Sequence, residues 1–190
     1  MINHVLFVCT GNTCRSPLAE GIFRLLAERK GIRVTVSSAG VSAVDGCSIS
    51  GHSRRILQDK GLNEALSSKS LSPELIRRAD LILTMTVSHK RLLLQRFPEA
   101  VDKTYTLKEY TAHAAADSGE AGEKERLIVD LQIKQALGQP ITAEDRRRLA
   151  ELEGTGADLD IRDPFGGSLE EYQACALEIE ESVEKLLDKL

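Results

Sequence analysis

A cysteine and an arginine near the start of the chain have the spacing of an anion-binding loop. Residues 9–17 read Cys-Thr-Gly-Asn-Thr-Cys-Arg-Ser-Pro and lie between an apolar run that favours a strand and a stretch that favours a helix. Successive backbone N–H groups of such a loop can point at one anion, and the N-terminus of the following helix adds positive potential. The spacing alone is common, but its place between a strand and a helix predicts a site for a phosphoryl group.

The side chains of this loop suit phosphoryl transfer through a covalent intermediate. We expect Cys9 to be a thiolate in this positive field and to attack phosphorus, which forms a phosphocysteine. The planar guanidinium of Arg15 can donate to two phosphoryl oxygens at once. Gly11 lets the backbone approach the ligand closely, and Asn12 tolerates a positive φ and can brace the loop. Ser16 can donate a hydrogen bond to the thiolate.

The whole loop therefore forms one predicted phosphate-binding set: Thr10, Gly11, Asn12, Thr13, Cys14, Arg15 and Ser16. The alternative is that Cys9 is an ordinary buried strand cysteine and Arg15 a surface charge. Hydrolysis also needs a general acid for the leaving group. The best candidate is Asp163, which precedes Pro164 on a loop rich in proline and glycine before the last predicted helix, although Asp-Pro alone is only a turn signal.

Strand-like and helix-like segments alternate along the chain. Apolar runs predict strands at 5–9, 34–37, 81–85 and 104–107, and helical periodicity predicts helices at 17–28, 72–79, 88–97 and 169–190. Gly31 is the expected C-cap of the first helix, and Ser72 is the expected N-cap of the second. This alternation predicts a doubly wound α/β fold, with a mostly parallel central sheet and helices on both faces. Ligands of such sheets bind beyond the carboxyl ends of the strands, where Cys9 lies.

Residues 111–160 differ in composition from the rest of the chain. They contain no aromatic residue, and 17 of these 50 residues are charged, with a net charge of −5. We expect helices at about 123–137 and 143–153, the second with a capping box from Thr142 to Asp145. The prediction is one phosphatase-like domain over 1–190 that carries a charged helical hairpin as an insertion; the alternative is that the insertion docks a partner.

Charge and composition exclude several classes of protein. The chain of 190 residues has a net charge of −4, and 42% of its residues are hydrophobic, so we expect a folded core and no nucleic-acid partner. No apolar run approaches the length of a membrane span, and no signal peptide is recognisable, so we expect no membrane partner and a cytoplasmic location. The four scattered cysteines are too few for a disulfide scaffold. Residues outside the insertion have a net charge of only +1.

The loop from Val8 to Pro17 closely resembles the signature of the low-molecular-weight protein tyrosine phosphatases. Members of that family have the signature loop at the extreme N-terminus and an Asp-Pro loop before the final helix, and both features match here in order and position. Ser38-Ala39-Gly40 and the segment 79–85 match as well, so the resemblance covers about 1–110 and 161–190. It implies hydrolysis without metal, in which Cys9 attacks, Arg15 holds the phosphoryl group and Asp163 acts first as acid and then as base. Asn12 and Ser38 are the expected supports of the loop.

Two departures from the tyrosine-specific pattern bear on the substrate. Thr13 stands where a branched apolar residue is usual, and Phe165-Gly166-Gly167 stands where aromatic residues, often paired tyrosines, follow Asp-Pro. This combination resembles the bacterial protein-arginine phosphatase subgroup. A hydroxyl at the rim of the loop suits a planar, hydrogen-bonding guanidinium better than a phenol ring, although its discrimination alone is modest. Thr13 and Phe165 are therefore the expected specificity residues for phosphoarginine, with phosphotyrosine as the alternative.

Two remoter alternatives have distinct requirements. An arsenate reductase of the same fold needs a pair of resolving cysteines in mid-chain, and residues 84–97 contain none. A non-catalytic phosphoprotein-binding module would lack a catalytic group, whereas Cys9, Arg15 and Asp163 are all present. Cys14 lies five residues after Cys9 and is a candidate for a reversible disulfide that protects the nucleophile; the alternative is that it only packs behind the loop.

The resemblance and the composition also set the expected ligands and partners. The four histidines, His4, His52, His89 and His113, have no metal-ligand spacing, so we expect neither a metal nor another cofactor. The resemblance implies phosphorylated proteins as substrates, in particular proteins that an arginine kinase has marked.

Overall fold

The computed structural model describes residues 2–112 and 159–190, together with positions 127, 134, 142, 144, 145 and 147. The chain divides into two compact units, one formed by Met1–Thr111 with Leu159–Leu190 and the other by Ala112–Asp158. These boundaries lie within two residues of those predicted for the insertion. That both units belong to one phosphatase domain stays a prediction.

The first unit is built on a four-stranded parallel sheet. Its strands are β1 (His4–Cys9), β2 (Thr35–Gly40), β3 (Leu81–Thr84) and β4 (Thr104–Thr106), in the order β2-β1-β3-β4. Every pair of neighbouring strands is parallel. The predicted doubly wound α/β fold is confirmed, and the central strand β1 carries Cys9 to the carboxyl edge of the sheet, where such folds bind their ligands.

Helices connect the strands. They are α1 (Arg15–Lys30), α2 (Gly51–Asp59), α3 (Pro73–Arg78), α4 (Val87–Arg96), a 3-10 helix (Pro98–Lys103), α5 (Leu107–Ala112) and α6 (Leu169–Leu187). The predicted caps are confirmed: Gly31 ends α1 with a φ of 68°, and the Ser72 hydroxyl accepts a hydrogen bond from the Leu75 N–H. Within the described residues, no helix is long and apolar enough to cross a membrane.

The structure departs from the sequence expectations at the fourth strand and in the helices that the periodicity missed. The fourth strand ends at Thr106, because Leu107 begins α5 instead of extending the strand. Sequence periodicity also missed α2, whose buried face comprises only Ser53, Ile56 and Leu57. This helix of nine residues buries only two apolar side chains, Ile56 and Leu57, so it lacks an apolar stripe that extends over several turns.

The core lies on both faces of the sheet. Successive side chains of a strand point to opposite faces, so Phe7 packs on one side of β1 and Leu6 on the other. The Phe7 side holds the apolar residues of α1 and α6, and the Leu6 side holds those of α3 and α4. Helices on both faces were expected and are confirmed. The packing fixes α1 directly behind the strand that ends at Cys9.

The structure describes little of the second unit. Its helical positions are 127, 134, 144, 145 and 147, so most of the two predicted helices lies outside the described residues. The capping box is confirmed: the Thr142 N–H donates to the Asp145 carboxylate at 3.0 Å, and the Asp145 N–H donates to the Thr142 hydroxyl at 3.1 Å. The hydrogen bond from the Thr142 N–H, followed by one from Lys134, lowers the pKa of Asp145 to about 2.

Candidate active site

The loop between β1 and α1 has the shape of an anion cradle. Cys9 ends β1 with 3% of its surface exposed, and α1 begins at Arg15. Asn12 has a φ of 52°, which is the left-handed conformation expected of it. None of the described residues accepts a hydrogen bond from the N–H groups of residues 11–14. These amide groups are therefore available to an anion.

The carbonyl oxygens of the loop, in contrast, have partners outside it. The Val41 N–H donates to the Cys9 carbonyl at 2.9 Å, and the Ser50 N–H donates to the Thr13 carbonyl at 2.8 Å. Gly40 lies so close to the loop that a Cβ atom there would be 2.4 Å from the Thr10 carbonyl oxygen. The end of β2 and the residues that follow it thus contact the carbonyl groups of the loop. Only glycine fits at position 40, where β2 approaches the loop most closely.

A buried carboxylate anchors a chain of hydrogen bonds behind the loop. Glu20, on α1, is 3% exposed and forms an ion pair with Arg24. It also accepts a hydrogen bond from the Ser38 hydroxyl at the end of β2. The Ser38 hydroxyl has only one hydrogen, which this bond uses, so Ser38 must act as an acceptor toward its other neighbour.

That other neighbour is Asn12. The hydrogen bonds of Asn12 extend the chain through Ser16 to Cys9, the nucleophile candidate. The Asn12 amide donates both its hydrogens, one to Ser38 and one to Ser16, each at 2.8 Å. The Asn12 carbonyl oxygen accepts from the Lys69 N–H at 2.7 Å. Ser16 is thereby an acceptor toward Asn12, and its own hydrogen is free for the Cys9 sulfur at 2.9 Å. The predicted support of the loop by Asn12 and Ser38 thus has a geometric basis.

Arg15 and Asp163 lie side by side, although 148 residues separate them. Arg15 is 5% exposed and donates to the Asp163 carboxylate at 2.9 Å and to the Ile161 carbonyl at 3.2 Å. The Ile161 N–H in turn donates to the Met85 carbonyl at the end of β3, at 2.7 Å. The loop of the general-acid candidate therefore contacts both the sheet and Arg15, the candidate phosphate-binding residue.

The two expected specificity residues differ in burial, and the loop has a neighbour that was not expected. Thr13 is half-buried, and Phe165 is 79% exposed. Cys14 is buried, with its sulfur 3.2 Å from the Tyr172 hydroxyl oxygen. Burial, followed by the contact with Cys14, raises the pKa of Tyr172 to about 12, so its hydroxyl stays protonated at neutral pH.

Comparison with known proteins gives the same family for this geometry. The model of the low molecular weight phosphotyrosine protein phosphatases matches residues 4–123. The chain belongs to this family. A protein-arginine-phosphatase of Geobacillus stearothermophilus is 36% identical over 98% of this chain and 95% of its own. A low molecular weight protein-tyrosine-phosphatase, PtpB of Staphylococcus haemolyticus, is 32% identical over 89% of this chain and 86% of its own.

A solved structure supports the same placement. The YwlE arginine phosphatase, as a cysteine-to-serine mutant with a phosphorylated active-site serine, is 33% identical and covers 98% of this chain and 95% of its own. The TM-score of the match is 0.73. The chain therefore shares both sequence and fold with this phosphatase family, as its signature loop predicts.

In this phosphatase chain, the two other cysteines do not belong to the signature loop. Burial raises the pKa of Cys175, on α6, to about 12, and Cys47 is exposed in a loop. All four cysteines are free thiols. Within the part of the chain that the structure describes, no group of three or more His, Cys, Asp or Glu residues is arranged to hold a metal.

Sequence reasoning missed three residues of the site, two that contact the signature loop and one that supports it through Ser38. They are Glu20, whose carboxylate starts the hydrogen-bond chain; Tyr172, beside Cys14; and His89, whose Nε2 atom lies 2.7 Å from the Thr10 hydroxyl oxygen. Tyr172 lies within the predicted helix 169–190, and the sequence places His89 only in a set of histidines without metal-ligand spacing. Because 158 and 79 residues separate these two from their loop partners, no local pattern could reveal the contacts.

Proposed function

We propose that this chain is a metal-independent protein phosphatase that hydrolyses phosphoarginine in proteins through a phosphocysteine intermediate. The observation that carries the proposal is the meeting of Cys9, Arg15 and Asp163 around one loop whose amide groups of residues 11–14 have no acceptor among the described residues. These are the nucleophile, the phosphoryl-binding group and the proton donor that two-step phosphoryl transfer needs.

In the first step, the Cys9 sulfur attacks phosphorus and the bond from phosphorus to the arginine nitrogen breaks. The Ser16 hydroxyl, whose oxygen is 2.9 Å from the sulfur, donates a hydrogen bond that stabilises the thiolate before attack. The loop amides and Arg15 bind the phosphoryl oxygens in the transition state. Asp163 delivers its proton to the departing nitrogen, so the side chain of the substrate protein leaves as an ordinary arginine guanidinium.

In the second step, water cleaves the phosphocysteine. Asp163, now a carboxylate, takes a proton from the water as its oxygen attacks phosphorus. The bond from sulfur to phosphorus breaks, inorganic phosphate leaves, and Cys9 returns as a thiolate. Arg15 must exchange its 2.9 Å contact with Asp163 for contacts with the phosphoryl group when substrate binds, which frees Asp163 for proton transfer.

The preference for phosphoarginine rests on the rim of the loop and on the relatives. Thr13 presents a hydroxyl that can bond to a guanidinium, whereas a phenol ring offers it nothing to bind. Relatives that carry the name protein-arginine-phosphatase align with 98% of the chain. Phosphotyrosine is the second candidate, because the matching family model and the Staphylococcus haemolyticus relative carry the name of tyrosine phosphatases.

Release of phosphate from a protein phosphorylated on arginine tests the proposal. The wild-type chain should release inorganic phosphate without added metal and in the presence of a chelator. Cys9→Ser should release none, and Asp163→Asn should be slower by about 100-fold or more, since general acids contribute on that order. Full hydrolysis by Cys9→Ser would overturn the mechanism and favour a phosphoprotein-binding module.

We also propose that Cys14 makes the site reversibly sensitive to oxidants. Peroxide would oxidise the Cys9 thiolate to a sulfenic acid, and the Cys14 thiol would displace water from it to form a disulfide, which a dithiol reduces. Both thiols lie in the signature loop, and both are free. Peroxide inactivation of the wild type should be reversed by dithiothreitol, whereas that of Cys14→Ser should not. Irreversible inactivation of the wild type would contradict this role.

Phosphorylated proteins are the substrates that membership of this family implies, and phosphoarginine proteins are the ones we propose. Four free thiols favour a reducing compartment such as the cytoplasm as the site of action. The unit Ala112–Asp158 stays a candidate for docking a partner. Loss of binding to substrate protein on its replacement, with unchanged hydrolysis of a free phosphoarginine amino acid, would support docking.

A further inference from the structure

A buried histidine connects the signature loop to the helix on the other side of the site. His89 lies in the first turn of α4 and is 5% exposed. Its Nε2 atom is 2.7 Å from the hydroxyl oxygen of Thr10, the residue that follows the nucleophile. Its backbone N–H is held by the Thr86 hydroxyl, which caps the helix. The ring is therefore fixed in position from both its backbone and its tip.

The surroundings of the His89 ring determine its charge and bear on which of its two nitrogens carries the proton. Burial and the nearby charge of Arg15 lower the pKa of His89 to about 4, so at neutral pH the ring is neutral and has one N–H group. The other ring nitrogen, Nδ1, is buried and has no hydrogen-bond partner among the described residues. A buried N–H without an acceptor is rarer in proteins than a lone pair without a donor.

We propose that His89 carries its proton on Nε2 and donates it to Thr10, which makes the Thr10 hydroxyl a donor toward the phosphoryl group bound in the loop. The inference rests on the proposed phosphatase function and adds a positioning residue to it. With the proton on Nε2, the unpaired Nδ1 atom carries only a lone pair. Burying that lone pair costs less free energy than burying an Nδ1–H group without an acceptor.

The direction of this bond decides what Thr10 can do. A hydroxyl has one hydrogen to donate. If Thr10 gave that hydrogen to His89, it would present only lone pairs to the site, and these repel a phosphoryl oxygen. Because His89 is the donor, the hydrogen of Thr10 stays available to an anion next to Cys9. His89 acts through Thr10 and touches no reacting atom.

Tautomer-sensitive NMR of the wild-type protein tests the first part of the proposal. Spectra that correlate the ring nitrogens of His89 with their protons at neutral pH should show hydrogen on Nε2 and a bare Nδ1. His89→Gln identifies the signals, because it removes them and leaves those of the other histidines. A proton on Nδ1 would overturn the proposal, since Thr10 would then be the donor.

A double-mutant cycle tests the functional part. His89→Ala and Thr10→Val should each raise the inhibition constant of inorganic phosphate and lower kcat/KM by about tenfold, the scale of one hydrogen bond at a charged ligand. The double variant should be no worse than either single one, because both remove the same interaction. Additive losses would overturn the proposal. His89→Gln, whose amide can donate from a similar position, should recover most of the activity.

Matched measurements keep the proposal testable if one variant misfolds or if the substrate is different. Arg91→Ala, an exposed substitution two residues further along α4, should leave every constant unchanged. If His89→Ala does not fold, the kinetic constants of Thr10→Val and His89→Gln and the NMR spectrum of the wild type still test the proposal. Phosphate binding and hydrolysis of an aryl phosphate report on His89 even if phosphoarginine is not hydrolysed, a result that would contradict only the proposed function.

Discussion

At the scale of single residues, the direction of a few hydrogen bonds determines the state of the nucleophile. Ser38 gives its hydrogen to Glu20, so Asn12 must donate to Ser38 and to Ser16, and Ser16 is left as a donor to the Cys9 sulfur. The carbonyl of Ala39 is the other acceptor near Ser16, but at 3.5 Å it is at the limit of a hydrogen bond. The carboxylate of Glu20, two hydrogen bonds away from Asn12, thus determines which groups of the site act as hydrogen-bond donors.

This account predicts that Ser38→Ala lowers kcat by about tenfold with little change in folding. The substitution leaves Asn12 free to turn, so Ser16 no longer has a fixed direction toward Cys9. Rate constants for an aryl phosphate, combined with thermal unfolding, make the measurement. Ser37→Ala is the matched control, because the hydroxyl of Ser37 contacts His4 and not the loop. Equal losses in both variants would show that Ser38 matters only for the strand.

A second prediction at this scale concerns the rim. Thr13→Ile replaces a hydroxyl by an apolar side chain, so kcat/KM for phosphoarginine should fall and that for phosphotyrosine should rise. The ratio of the two should move toward tyrosine by about ten- to 100-fold, the range of a lost polar contact combined with a gained apolar one. Thr13→Ser, which keeps the hydroxyl, is the control. An unchanged ratio in Thr13→Ile would remove Thr13 from the specificity residues.

Much of this site could be predicted from local sequence, and the rest could not. The strand, the loop and the helix around Cys9 are contiguous, so their residue types give the anion cradle directly. Asp163 was found because Asp-Pro before a final helix is itself a pattern. Glu20 and His89 act through contacts across 18 and 79 residues, and each resembles an ordinary helical residue until the sheet brings its partner close.

At the scale of elements, the close approach of β2 to the signature loop is the constraint that shapes the site. Gly40→Ala would place a Cβ atom 2.4 Å from the Thr10 carbonyl oxygen and 2.9 Å from the Asn12 nitrogen, both of them backbone atoms. We expect the substitution to lower the free energy of unfolding by about 1–3 kcal/mol and to reduce kcat, because the loop must shift.

Urea unfolding and steady-state kinetics check this prediction. Gly51→Ala is the control, since nothing lies within 4 Å of its Cβ position and it begins α2. Alanine at that helical position should leave kcat unchanged and stabilise the protein by up to about 1 kcal/mol. A Gly40→Ala protein with wild-type stability and rate would contradict the close packing of β2 on the loop.

Helices with a clear local pattern were predicted from the sequence, and elements without one were missed or misplaced. The apolar stripe of α6 and the proline after the cap of α3 determined those helices from the sequence. The short helix α2 buries only two apolar residues, Ile56 and Leu57. Leu107 reads as one more apolar residue of a strand because nothing local distinguishes it from the first residue of α5. Tertiary packing decides both cases.

At the scale of the whole molecule, Asp80 links two strands at the edge of the sheet opposite the site. Its carboxylate accepts hydrogen bonds from the N–H groups of Asn3, at 2.8 Å, and His4, at 3.0 Å, so the start of β3 fixes the start of β1. These two bonds lower the pKa of Asp80 below its ordinary value of 3.8.

The sign of the resulting pH dependence follows from that shift. A carboxyl with a lowered pKa in the folded protein contributes stability above pH 3.8, and the contribution is lost as the pH falls through the folded-state pKa. Asp80→Asn should therefore have a lower Tm than wild type at neutral pH, and the difference should shrink as the solution is acidified below pH 3.8. A difference in Tm that stays constant with pH would show that the charge of Asp80 is not involved.

Charge is also distributed unevenly over the whole chain. The net charge of −4 arises from residues 111–160, which alone carry −5, while the remainder carries +1. The attraction for a phosphoryl group therefore comes from the local arrangement of the loop amides and Arg15, and not from a basic surface.

The proposed specificity is the central claim, and one comparison tests it most directly. The same purified chain is assayed on one protein phosphorylated on arginine and on one phosphotyrosine peptide, and kcat/KM is determined for each at neutral pH. The account predicts a value for phosphoarginine that exceeds the value for phosphotyrosine at least about tenfold, a difference of about 1.4 kcal/mol in the transition state. A higher value for phosphotyrosine would contradict it and assign the chain to the tyrosine-specific branch of its family.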